Sequence, residues 1–152
     1  IADADLAGAP VVVVGSGGAA RAVLFALAQI GVGPVTILAR SVLKASALLA
    51  HFGLKGQALM LDAALPPAKL LANASSLGMA GQPVFVPDRA PLPEDALVYD
   101  IVYAPLETPL LAAAHARGVH AATIGVVTAE AVVRIDGRPM PRPAFSHFER
   151  VP

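Results

Sequence analysis

The sequence predicts an α/β domain built on a doubly wound, mostly parallel sheet of about six strands. Three observations carry that expectation. Short β-branched runs alternate with longer Ala/Leu-rich stretches, the rhythm of βαβ units. The first run, Val11-Val12-Val13-Val14, is apolar at every position, as in a strand buried on both faces. Four small residues from Gly15 to Gly18 then separate this run from the first helical stretch.

Taken in order, Val11 to Val14 is the first strand. Ala19 to Ile30 is a helix, with Val23, Leu24, Leu27 and Ile30 at helical spacing and Gly31 with Gly33-Pro34 as its stop. Val35 to Ala39 is the second strand and Val42 to Phe52 the second helix, ended by Gly53. Gln57 to Leu61 reads as an edge strand, and the stretch from Ala68 to Ala74 contains a fourth strand ending at Asn73. Pro83 to Pro93 holds four prolines and reads as a loop. Leu97 to Val102 is a fifth strand, Pro109 to Arg117 a helix and Val119 to Thr123 a sixth strand. Beyond Ile124 the pattern weakens. Ala131 to Ile135 reads as one arm of a hairpin turning at Asp136-Gly137, and the tail from Pro139 reads as loop. The expected division is therefore a cofactor-binding domain over 1–123, with 124–152 packing on or near it.

Composition narrows the function classes. The chain has 152 residues, with Lys+Arg and Asp+Glu both at 11. Zero net charge and 14% charged residues argue against electrostatic binding to nucleic acid or to an anionic membrane. No apolar run reaches the ~20 residues of a membrane span. The absence of cysteine removes disulfides, thiolate metal sites and Cys nucleophiles. His51, His115, His120 and His147 show no paired metal-ligand spacing. No basic, apolar leader opens the sequence, so a cytoplasmic compartment is the expectation. Hydrophobic residues reach 56% and mean hydropathy is +0.67. An apolar face awaiting a substrate domain or a second copy would explain that value. The 32 alanines explain part of it without any partner.

The loop Gly15-Ser16-Gly17-Gly18-Ala19-Ala20-Arg21 carries the strongest chemical signal. Glycine spacing alone is weak, but between a buried strand and a helix each part has a use. One glycine turns the chain out of the strand, another lets backbone approach a pyrophosphate, and small residues allow close helix–strand packing. Free N–H groups at the helix start then hold the phosphates. The bland reading is a tight turn with no ligand. At the end of the second strand, where NAD sites place a carboxylate for the ribose 2′-hydroxyl, the chain reads Ala39-Arg40-Ser41-Val42-Leu43-Lys44. Arg40 suits a 2′-phosphate, and Ser41 and Lys44 add donors, so NADP is the expected cofactor. Here the bland reading is a solvated helix start. Asn73-Ala74-Ser75-Ser76-Leu77-Gly78-Met79 lies at the same sheet edge. It reads as a lip over the nicotinamide ribose, with Met79 as an apolar contact, or as a polar turn.

These segments, in this order, resemble the C-terminal NADP-binding domain of the shikimate and quinate dehydrogenase family. Gly15 to Ala22 resembles its GAGGAxRA loop, and Ala39 to Ala45 its NRTxxKA, with Ala39 and Ser41 substituted. Asn73 to Met79 resembles its NATxxGM. The run from Asp100 to Leu111 resembles DxVYxPxxTPLL, the most diagnostic of the four. The resemblance covers roughly Pro10 to Gly118. It implies a Rossmann-like fold and interconversion of 3-dehydroshikimate and shikimate with NADP in the whole enzyme, a step of aromatic amino acid biosynthesis. It further implies that Tyr103 reaches substrate and that backbone at Ile101 lines the nicotinamide pocket.

Two departures qualify what the resemblance implies. Asp136-Gly137-Arg138-Pro139-Met140 matches half of the family's closing DGxxMLxxQ, but Ala144 stands where the substrate-binding glutamine belongs. The family's catalytic Lys–Asp pair lies in an N-terminal domain, and no lysine precedes Lys44 here. The chain is therefore expected to hold cofactor and to do little chemistry alone, with no catalytic residue of its own. The alternative is a stand-alone NADP-binding or sensing module.

Overall fold

The computed structural model describes residues 6–86, 92–93, 95–121, 134–135 and 138–139. Its main sheet has six strands: β1 (Val11–Val14), β2 (Val35–Ala39), β3 (Gly56–Met60), β4 (Leu70–Asn73), β5 (Leu97–Asp100) and β6 (His120–Ala121). Their spatial order is β3-β2-β1-β4-β5-β6, and every neighbouring pair runs parallel. The direction of winding reverses between β1 and β4, the switch point of a doubly wound sheet. Among the described residues, three helices complete the layers: α1 (Gly18–Ile30), α2 (Val42–Phe52) and α3 (Pro109–Ala116).

The apolar runs explain the layering. Because side chains alternate along a strand, Val11 and Val13 join Val35, Ile37, Leu70 and Ala72 on one face. There they pack against Leu24 and Leu27 of α1 and Leu48 and Leu49 of α2. Val12 and Val14 join Leu38, Leu71 and Val98 on the other face, against Leu110, Leu111 and Ala114 of α3. A strand covered on both sides needs apolar residues at every position, which is why β1 is four valines.

Helix ends follow local chemistry. Gly31 and Gly53 close α1 and α2 in the left-handed region, at φ 75° and 64°, which glycine enters without a Cβ penalty. Thr108 caps α3, its side chain accepting from the Leu111 N–H, and Pro109 takes the first helical turn. On the surface, Lys69 pairs with Asp95 and holds that carboxyl below the usual carboxylate range.

The fifth strand is shorter than the sequence predicts. It stops at Asp100 because the Val102 N–H turns to the Asp100 side chain (3.0 Å) instead of a neighbouring strand. The third strand is one residue early, at Gly56. Arg134–Ile135 pairs antiparallel with Arg138–Pro139, in keeping with the expected hairpin. Its turn, Asp136-Gly137, lies outside the described residues, as do Thr123, Met140 and Ala144. Among the described residues, no helix is long and apolar enough to cross a membrane.

Candidate functional site

Register alignment brings four chain segments to one edge of the sheet. Val14 is level with Leu38 on one side and with Asn73 on the other, and Asn73 is level with Asp100. The segments leaving these strands therefore meet at the carboxyl end of the sheet, beside the switch point, where open α/β sheets form their crevice. With the last residues of β2 and β4, they carry every residue singled out from the sequence: Gly15 to Ala19 after β1, Ala39 at the end of β2 with Arg40 to Lys44 beyond it, Asn73 at the end of β4 with Ala74 to Met79 beyond it, and Ile101 and Tyr103 after β5.

The glycines of the first loop do different jobs. Gly15 has φ 112°, and a Cβ there would sit 2.6 Å from the Ala74 carbonyl oxygen. Its N–H donates to Leu38 (2.8 Å), so this residue knits the β1, β2 and β4 ends together. Around Gly17 and Gly18 an added Cβ would meet nothing within 4 Å, and neither has a positive φ. The protein's own packing therefore does not require glycine at either position. Gly17 is the N-cap of α1 and supplies no side-chain hydrogen bond, and the first turn carries no acidic residue. Early N–H groups of a helix have no partner within it, so α1 presents an open, donor-rich cradle to an anion.

At the end of β2, Ala39 is buried while Arg40 and Lys44 are exposed. Ser41 caps α2, its Oγ accepting from the Lys44 N–H at 3.4 Å. That bond uses a lone pair and leaves the hydroxyl proton available. The first turn of α2 is also free of acidic residues. Two cations and a hydroxyl thus surround this helix start, with no carboxylate opposing them in that turn.

The β4 segment is organised by Asn73, which is 1% exposed. Its Nδ2 donates to the Leu77 carbonyl and to Asp100 Oδ1, both at 2.9 Å. Its Oδ1 accepts from the Ser75 N–H (3.2 Å) and the Ser75 hydroxyl (2.6 Å). All four hydrogen-bonding positions of the amide are filled from within the chain. Asn73 therefore shapes the loop, in which Ala74 is buried and Ser75 and Met79 are half-buried. Asp100 Oδ1 also accepts from Val102 N–H, and Oδ2 accepts from the Thr108 hydroxyl at 2.7 Å. Thr108 does not stand out in the sequence as a site residue. The signal for it is a Thr-Pro pair opening an apolar helix. Tyr103 is 58% exposed on the segment after β5, and the side chains of Leu106 and Val84 are also exposed. Among the described residues, no cluster of side chains suits a metal ion.

Comparison with known proteins agrees with the fold. No family model matches the chain. A shikimate dehydrogenase (NADP(+)) of Sphingopyxis alaskensis is 68% identical over 118 residues, covering 78% of this chain and 43% of the relative. The chain is related to shikimate dehydrogenases. Among solved structures, the Thermus thermophilus shikimate 5-dehydrogenase in complex with NADP(H) and shikimate matches at 37% identity and a TM-score of 0.60. That match covers 76% of this chain and 42% of the other. Quinate dehydrogenase from Corynebacterium glutamicum, in complex with NAD, matches at 31% identity and TM-score 0.65, covering 79% of this chain and 45% of that one. The chain thus spans about half or less of the shikimate dehydrogenases it matches, and the shared fold is the Rossmann-like α/β sheet.

Proposed function

We propose that residues 1–123 form the NADP-binding unit of a shikimate dehydrogenase-like oxidoreductase. The observation that carries this reading is the open cradle at Gly17 and Gly18, glycines that the chain's own packing does not require. Backbone from Gly15 to Ala19 would hold the pyrophosphate at the α1 N-terminus. Arg40, Ser41 and Lys44 would take the 2′-phosphate beside Ala39, where a carboxylate would repel it. Ala74, Ser75, Met79 and Ile101 would flank the nicotinamide, with Asn73 supporting them from beneath, and Tyr103 would reach the substrate. When bound, the cofactor exchanges a hydride with the carbon bearing the substrate hydroxyl.

No acid–base residue of this chain enters the proposal, because both Asp100 oxygens are engaged by Asn73, Val102 and Thr108. Proton transfer at the substrate hydroxyl falls to the substrate domain. That domain would sit over the exposed Tyr103, Leu106 and Val84. Residues 124–152 would pack on or near the cofactor unit. A cytoplasmic location, with no nucleic-acid or membrane partner, belongs to the same reading and rests on the neutral charge and the small-molecule cofactor.

Calorimetric titration with NADPH and NADH tests the proposal. NADPH should bind more tightly, and Arg40→Ala should cost NADPH about 1.5–3 kcal/mol, as for a charge-assisted contact, while sparing NADH. Equal losses for the two cofactors would remove the 2′-phosphate role. Absence of binding to either would overturn the proposal.

A further inference from the structure

We infer that Asp100 and Thr108 are positioning residues that lock the two crevice loops, and that α3 is thereby coupled to the site. Asp100 ends β5 and accepts hydrogen bonds from three separate segments: Asn73 Nδ2 at the end of β4, the Val102 N–H in the loop beyond β5, and the Thr108 hydroxyl at the start of α3. Asn73 passes the constraint to Ser75 and Leu77, and the Ser75 hydroxyl in turn accepts from the Leu77 N–H at 3.2 Å. Thr108 passes it to Leu111 within α3. Asn73 is 1% exposed and Thr108 is fully buried, while Asp100 between them is half-buried.

Thr108 is held by both its cap on α3 and its bond to Asp100, and its side chain also lies beside Gly78 of the β4 loop, where an added Cβ would come within 3.7 Å of it. Without its hydroxyl, Asp100 Oδ2 loses the partner that fixes its rotamer. Asp100 Oδ1 then keeps its bonds to Asn73 and Val102 as its remaining anchors, and the carboxylate is free to tilt about them. Loops 74–78 and 101–103 would relax together, although they are contributed by different strands.

This inference rests on the cofactor reading for its consequence but not for its geometry, and the experiment separates the two. Thr108→Val removes the hydroxyl at nearly constant volume, and Thr108→Ser restores it. Val35→Ala, at the opposite end of β2, serves as a control that loses packing alone. Amide exchange on the cofactor-free chain should show the Ser75 and Val102 N–H groups exchanging faster in Thr108→Val, at wild-type rates in Thr108→Ser and little changed in Val35→Ala. Titration with NADPH and NADH should show about a tenfold loss for both cofactors in Thr108→Val, the scale of one hydrogen-bond-held arrangement, and recovery in Thr108→Ser. Unchanged exchange at Ser75 and Val102 in Thr108→Val would overturn the inference whatever the cofactor does. Changed exchange, in a wild-type chain that binds neither cofactor, would uphold the positioning role and sink the cofactor reading.

Discussion

A methyl group added at Gly15 would meet the Ala74 carbonyl oxygen at 2.6 Å, whereas one added at Gly17 would meet nothing within 4 Å. The two positions should therefore respond oppositely to the same change. Gly15→Ala adds a backbone clash to a φ of 112°, so it should lower the melting temperature and disturb the crevice together. Gly17→Ala meets no clash and should lower the melting temperature only by the loss of a better N-cap residue, about 0.5–1 kcal/mol. It should still weaken NADPH and NADH alike by crowding the pyrophosphate. Thermal melts and titrations on the same two variants check both halves. The sequence places both glycines in the loop but does not distinguish them, because the distinction lies in what Ala74, about sixty residues away, does with its carbonyl.

At the level of elements, much was legible and the reason is local. The α2 boundaries follow from Ser41, the apolar spacing of Leu48 and Leu49, and Gly53, all within one short window. The end of β5 and the inward turn of the Asn73 amide were not legible. Both depend on bonds between Asn73, Asp100 and Thr108, and no periodicity encodes those pairings. The same separation of local from tertiary effects sets the expected cost of damaging α2. Ser41→Ala removes a cap whose bond is long, at 3.4 Å, and should cost about 0.5–1 kcal/mol. Leu48→Ala hollows the packed face and should cost about 2–5 kcal/mol. Urea unfolding of the two variants measures the gap, and equal losses would mean that the cap matters more than its length implies.

Across the whole molecule, the two apolar layers account for the sheet, and the switch point between β1 and β4 accounts for where the loops gather. Four segments separated along the chain supply one crevice, so no single window of sequence contains the site. Its position follows from strand order alone. In the proposed reading its working parts are Gly17, Arg40 and the Asp100 network, which only the assembled chain brings to one edge.

That strand order also has a history in time. β1 pairs with β2 across one short crossover, but its pairing with β4 closes a loop of about sixty residues. Contacts of long separation form late, so β3, β2 and β1 should associate before β4 and β5 arrive and complete the crevice. A dinucleotide would then find nothing to hold until folding is nearly over. Its presence should slow unfolding and leave the refolding rate unchanged, which stopped-flow kinetics with and without NADPH would reveal. On that account the cofactor acts as a latch on a finished molecule and takes no part in building it.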